Sequence, residues 1–439
     1  GDVARSIQTL KDSSGNITGY LVTAHDYTYG SPDVLDAIVN GTTQPSDITT
    51  VYSYNDLNQL TDELATNTAT DEPVFSDQYD LNADGTRQDV IETQYNGDGS
   101  VFAKTQTNWS YDADGRMTDE QLVILNDGTG GTSDANGHAP AAYDDVVKFD
   151  LANNRVEEDT TGGTDGAGVI DYTYNSDDQL LTEDRTGSNA YAITYGHTTS
   201  GVFIKGYDAW GNQTEQHRTG TNPEDDVYTW DLQGNMTSAA VTVSGTTATT
   251  DYAYDSNGVR TSETTNAGTS TAATTFYLND PNNPTGYTKA VEEKQGATAA
   301  TATVSRSYVL GLKVEGQSDS TNGKVYYLTD GHGSTRALVN TSGAVIERYD
   351  YDAFGTMLLG QQIDPTTQAV TNITAATAAT PWLFGGDGLY DPSTGWTYQL
   401  ARWRDGFRFT SSDTFAGDPS SPISLHRYLY ADVDPANAG

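Results

Sequence analysis

From residue 51 onwards one short unit keeps returning in this chain. It is an aromatic-x-aromatic pair, an Asp or Asn, a short turn, and a return segment that often opens with Arg or Gln. Copies run through Tyr52-Ser53-Tyr54-Asn55, Tyr79-Asp80, Trp109-Ser110-Tyr111-Asp112, Phe149-Asp150, Tyr172-Thr173-Tyr174-Asn175, Tyr207-Asp208, Tyr228-Thr229-Trp230-Asp231 and Tyr252-Ala253-Tyr254-Asp255. Their anchors Tyr54, Tyr79, Tyr111, Phe149, Tyr174, Tyr207, Trp230 and Tyr254 stand 23 to 38 residues apart, the spacing of a repeat protein with loop insertions.

The chemistry of the unit accounts for its letters. Aromatic residues two apart share one face of a strand, so Tyr252 and Tyr254 are expected to stack on their equivalents in the neighbouring repeat. The Asp or Asn accepts a hydrogen bond from an N–H two residues on, and the Gly or Asn three further along takes the left-handed conformation. Each unit is therefore a β-hairpin. One hairpin cannot bury its own apolar face, so the repeats must join into a continuous antiparallel ribbon.

Composition agrees and closes off several function classes. Gly reaches 44 residues and Tyr 28 in 439, a mix that favours strands and turns. The formal charge of −39 repels a phosphate backbone or an anionic lipid surface, so nucleic acid is not an expected partner. There is no Cys, which removes disulfides and thiolate sites. No apolar run approaches the roughly 18 residues that cross a bilayer, so no membrane insertion is expected. The six His residues lie far apart, without zinc spacing, and no phosphate-binding or nucleophile-elbow motif occurs. Stretches rich in Gly, Thr, Ser and Ala, such as 242–250 and 366–380, read as surface loops or strand edges.

The stretch Tyr326–Gly355, YYLTDGHGSTRALVNTSGAVIERYDYDAFG, alternates Tyr327, Thr335, Ala337 and Val339, then Val345, Glu347, Tyr349 and Tyr351, between Gly-bearing turns. Beyond it come Phe384-Gly385-Gly386, Leu389-Tyr390-Asp391-Pro392-Ser393-Thr394-Gly395, Ala401-Arg402-Trp403, Arg408-Phe409-Thr410 and Leu425-His426-Arg427-Tyr428-Leu429-Tyr430. This order of motifs resembles the RHS-repeat-associated core, and the upstream unit resembles the YD repeat of the same proteins. The resemblance implies an all-β fold in which the ribbon spirals into a hollow shell, residues 1–275, closed by an RHS core, residues 276–439. One departure stands out. Where the family reads R-x-Y-D-P-x-x-G-R-F, this chain has Arg402-Trp403-Arg404-Asp405-Gly406-Phe407-Arg408-Phe409, about two residues shorter.

Three candidate sites follow. RHS cores end in two D-P-x-G motifs whose paired carboxylates cut the chain, because two nearby acids cannot both ionise and one serves as base, the other as acid. The first motif corresponds to Asp413-Thr414-Phe415-Ala416-Gly417, and the second is absent, so Asp413 is a latent catalytic residue with a role only in a longer precursor. Asp80, Asn82 and Asp84 carry the D-x-N-x-D-G opening of a calcium loop, but position twelve is Ile91 instead of Glu, and a plain turn competes for the same letters. Calcium is the cofactor these residues would take. The 28 Tyr and 6 Trp would also suit sugar rings, though sheet packing asks for the same residues.

The resemblance implies an exported, extracellular or cell-surface shell, not an enzyme in itself, that encloses or carries a C-terminal toxin used between competing bacteria. The alternative is a surface protein of structural or adhesive type, whose partners are neighbouring copies of itself or glycans.

Overall fold

The computed structural model describes residues 48–437 except 68, 133–136, 165 and 387, together with the backbone of three strands before residue 48. The stretch Thr28-Tyr29-Gly30-Ser31-Pro32-Asp33 reads as a loop in the sequence, and its residues 28–32 lie outside the described residues. Among the described residues 28 strands form one antiparallel meander from Val3–Lys11 to Val370–Ile373, each strand pairing with its neighbour in the chain. The all-β ribbon read from the repeats is thus observed. The only helical pieces described are short 3₁₀ turns.

Most units close in the way their letters require, although after Tyr79-Asp80 the turn residue is Asn82 instead of Asp80. In the turn after strand Val101–Tyr111, the Asp112 carboxylate accepts the N–H groups of Asp114 at 2.9 Å and Arg116 at 3.0 Å. Gly115, at φ 81°, supplies the left-handed residue. Where Gly is missing, Asn153 and Asp178 take positive φ instead. The register slips by one residue at the aromatic anchor itself, as at Ser110/Tyr111, Thr173/Tyr174, Thr229/Trp230 and Ala253/Tyr254. Such a bulge adds twist and bend, and one per hairpin makes the ribbon coil.

The coil returns onto its own beginning. Asn67 reaches the carbonyl of Ser342 at 3.4 Å, the Tyr79 hydroxyl accepts the Gly331 N–H at 3.0 Å, and Gln361 donates to the Gly137 carbonyl at 2.6 Å. For this reason the Tyr326–Gly355 stretch is buried on both faces: Tyr327, Leu338 and Tyr349 pack in the large inner cluster, and Leu328, Ala337 and Val339 pack on Ala65 and Phe75 of the outgoing strands. Its alternation reads as a β-hairpin, which the structure forms from Thr335–Asn340 and Val345–Tyr351 and places at the overlap of the coil. The boundary expected between 275 and 276 falls inside strand Ala273–Asp280, and the ribbon runs on without a break to Ile373.

A second sheet of four short strands, Leu389–Tyr390, Thr397–Gln399, Arg402–Asp405 and Arg408–Phe409, is separate from the ribbon and packs on its inward face. One hairpin, Gly196–Thr199 with Val202–Lys205, also leaves the ribbon and shows Val202, Phe203 and Ile204 to solvent.

Candidate functional site: the plug and its anchoring arginines

The inward face of the ribbon carries the repeat aromatics, and the plug meets them one by one. Tyr228 lies on Trp396 with ring centres 4.4 Å apart, Tyr252 meets Trp403 edge-on at 5.0 Å, and Phe407 meets Tyr172 at 5.3 Å. Sequence spacing led to the expectation that these aromatics stack repeat on repeat. Equivalent residues of successive hairpins are two strands, about 10 Å, apart, and the plug's rings occupy the space between them. The shortened segment at Asp405 has a direct consequence: Gly406, at φ 52°, and Phe407 form a tight two-residue turn that projects Phe407 into the ribbon wall.

Arginines tie the layers together. Arg260, 3% exposed, pairs with Asp391 at 3.2 Å and Glu263 at 3.4 Å, among the rings of Tyr277, Tyr398 and Trp403. Arg155 pairs with Glu158 at 2.7 Å between the rings of Phe354 at 4.4 Å and Phe407 at 4.3 Å. From the plug side Arg408 reaches Gln213 at 2.5 Å. Arg155 and Arg260 open the return segment of their repeats, the position where the sequence favours Arg or Gln. That preference was visible in the chain, whereas its role as a tie to the plug was not.

Beside these cations runs a line of inward carboxyl groups. Tyrosine hydroxyls donate to several of them: Tyr79 to Asp77 at 2.7 Å, Tyr172 to Glu158 at 2.9 Å, Tyr228 to Asp226 at 3.0 Å. Burial pushes the pKa values of Asp77 and Asp226 up, reinforced by Glu92 at Asp77 and by Asp405 at Asp226. Glu120 rises to about 8 through burial and Asp352, Asp145 to about 7 through burial and Glu158, and Glu63 to about 8 through burial offset in part by Lys313.

Two adjoining cavities of about 480 and 600 Å³ remain between ribbon and plug. They meet at Thr356, Gly395 and Asp405, and the first carries Glu120, Asp145, Glu183 and Arg185 on its wall.

The C-terminal segment is docked, not loose. The Arg87 guanidinium donates to the Ala436 carbonyl at 3.0 Å, its backbone N–H to Asn437 at 2.7 Å, and Asn437 also donates to the Tyr111 hydroxyl at 3.0 Å. Asp413 lies elsewhere on this tail. Its carboxylate pairs with Arg402 at 2.8 Å and caps the N–H of Phe415 at 2.8 Å. Among the described residues, Asp413, expected to be catalytic in a precursor, thus has an arginine as its ion-pair partner.

The calcium candidates sit in an ordinary repeat turn. Asp80 is exposed at the end of strand Glu72–Leu81, Asn82 donates to the Thr86 hydroxyl at 3.0 Å, and Asp84 accepts from the Thr86 hydroxyl at 2.8 Å and N–H at 3.1 Å. Among the described residues no three His, Asp or Glu side chains gather at metal-holding distance.

Comparison with known proteins bears on the whole assembly. A family model described as Teneurin YD-shell matches residues 155–363. The chain is 28% identical over 295 residues to the tRNA3(Ser)-specific nuclease WapA of Bacillus spizizenii, covering 64% of this chain and 11% of that protein. It is 27% identical to the tRNA nuclease WapA of Bacillus subtilis over the same shares. Among solved structures, the TcdB2-TccC3-TEV crystal structure superposes with a TM-score of 0.65 at 13% identity, over 98% of this chain and 20% of that one. The TcdB2-TccC3 structure gives a TM-score of 0.64 at 14% identity, over 99% and 22%. The chain thus spans about a tenth of the curated relatives and about a fifth of those solved chains.

Proposed function

Because this chain is an RHS/YD-repeat protein with the shell fold of that family, we propose that it is the shell-and-plug portion of an exported carrier, working outside the cell or at its surface, that delivers a C-terminal toxin in competition between bacteria. The observation that carries this reading is the docked tail. Residues 434–437 are fixed on Arg87 and Tyr111, so a domain joined through them would set out from a defined point on the shell wall. Relatives named as tRNA nucleases support it, since a shell that does no chemistry of its own needs an attached effector to account for such an activity.

The interior bears on enclosing against carrying. Cavities of about 480 and 600 Å³ between ribbon and plug hold a short stretch of chain, whereas a folded domain of 100 residues has a radius of gyration of about 13 Å. These volumes support a chain that carries its cargo or holds an extended piece of it. Among the described residues no helix is long and apolar enough to cross a membrane.

The test is the reading frame beyond Gly439. The carrier reading expects a compact domain there whose expression by itself arrests bacterial growth. A stop codon, or a wall anchor or sorting signal, would transfer the case to the surface-protein reading.

A further inference from the structure

The coil is closed by one seam, where its outgoing strands meet the returning ones, and that seam is crowded with ionisable groups. The outgoing side contributes Glu63, Asp77, Glu92 and Glu120 with Arg87, and the phenols of Tyr52 and Tyr79. The returning side contributes Glu315, Asp330, Asp350 and Asp352 with Lys313, Arg336, Arg348 and His332. The tail adds Asp434 beside Arg87. Arg336 bridges the two sides, bonding Glu92 across the seam and Asp350 at 2.9 Å on its own strand. Gln94 repeats the link, donating to Asp350 at 3.1 Å. Lys313 reaches across to the Tyr52 hydroxyl at 3.3 Å, and the Ala353 N–H donates to Glu120 at 3.0 Å.

Carboxyl groups outnumber the cations by more than two to one here, nine with Asp434 against the four of Arg87, Lys313, Arg336 and Arg348. Both Glu63 and Asp77 are 2% exposed and each keeps one carboxyl oxygen without a hydrogen-bond partner. Such a seam is balanced only while about half its acids stay protonated.

We propose that the seam is a pH-sensitive latch, which keeps the shell closed in neutral and mildly acidic surroundings and releases the overlap in alkaline ones. The sign follows from the direction of the shifts. Glu63 rises to about 8 and Asp350 to about 7, with Asp77, Glu120 and Asp352 also raised, each chiefly by burial. Groups raised in the folded state stabilise it below their unfolded values and lose that contribution as pH climbs through the folded ones. Ionisation then places more negative charge between two buried layers than the seam's cations can pair, and the layers separate. This inference rests on the shell fold and does not depend on the toxin-carrier reading.

The chain has no cysteine, so a single introduced thiol can report on the seam. Ala65→Cys sits in the seam's apolar patch with Phe75, Ala337 and Val339, and Ala239→Cys sits against the plug, each at a position 1% exposed. Between about pH 6.5 and about pH 9 the labelling rate at residue 65, divided by that at residue 239 to remove thiolate formation, is expected to rise about tenfold or more. Asp350→Asn and Glu63→Gln, tested separately in case one fails to fold, are expected to flatten that rise, with slow labelling at residue 239 showing that the shell is intact. Equal acceleration at both thiols, or an undiminished rise in the folded neutral variants, would overturn the latch.

Discussion

Arg260 shows most plainly what a single residue does in this shell. Its guanidinium is the cation for two acids, buried Asp391 of the plug and part-buried Glu263 of the ribbon, and four aromatic rings lie around it. Removing one partner of such a group leaves charge buried without compensation. Arg260→Met is therefore expected to lower stability by about 3 to 5 kcal/mol in urea melts. Arg260→Lys should recover only part, because an ammonium cannot serve both acids and the ring faces at once. A loss under about 1 kcal/mol for the Met variant would mean that the plug is held by its rings alone. Asp413 makes the opposite case. With Arg402 as its partner, its carboxylate has a structural duty in this chain, and a chemical one requires a second acid from a precursor. If a longer form cleaves itself through this residue, Asp413→Asn leaves the precursor whole on a gel while wild type separates. Equal cutting of both assigns Asp413 to the Arg402 pair only.

At the level of the hairpin the sequence was most legible, and the reasons are local. Turn chemistry acts within five residues: the Asp231 carboxylate accepts the N–H groups of Gln233 and Asn235 and the Asn235 amide, all at 2.9 Å. Any chain with those letters forms that turn, so Asp231→Ala should cost about 1 to 2 kcal/mol in chemical denaturation, the loss of charge-assisted bonds at a half-exposed site. What the letters could not convey is which neighbour covers each face. Tyr228, 2% exposed, lies on Trp396, which is 168 residues further along the chain. Tyr207 and Tyr54 stand at one place in their repeats, directly before the turn Asp or Asn, yet Tyr207 is 6% and Tyr54 50% exposed. Repeat position fixed the hairpin and left the burial to the long-range coil, as it did the inside partners of Arg155 and the docking of Asn437 on Tyr111. Tyr228→Ala is accordingly expected to cost about 3 to 5 kcal/mol, and Thr246→Ala, on the exposed end of a hairpin, under about 0.5 kcal/mol. Similar costs for the two would count against a ring-on-ring core.

For the whole molecule the dominant quantity is the net charge of −39, and it acts through two populations of carboxyl groups with opposite pH signs. Exposed turn carboxylates such as Asp84, Asp98, Asp364 and Asp418 are held below their ordinary range by side-chain and backbone hydrogen bonds. Their contribution is present above an unfolded value of about 4 and is lost as pH falls through the folded one. The inward carboxyls, Glu63 and Glu120 at about 8 and Asp145 and Asp350 at about 7, behave in reverse and weaken the fold as pH rises through those values. Self-repulsion of the ionised surface also grows with pH, so it adds to the second effect. The melting temperature should therefore peak at about pH 5 to 6 and decline on both sides. Salt separates the causes on the alkaline side. Raising NaCl from about 10 mM to about 1 M shortens the screening length from about 30 Å to about 3 Å, which removes surface repulsion and lifts the whole curve, but leaves groups buried under the plug nearly unscreened. The expected result is a higher curve that still falls between pH 7 and pH 9 in about 1 M salt. A decline that disappears in high salt would place the alkaline sensitivity on the surface, and the inward carboxyls would then have no part in it.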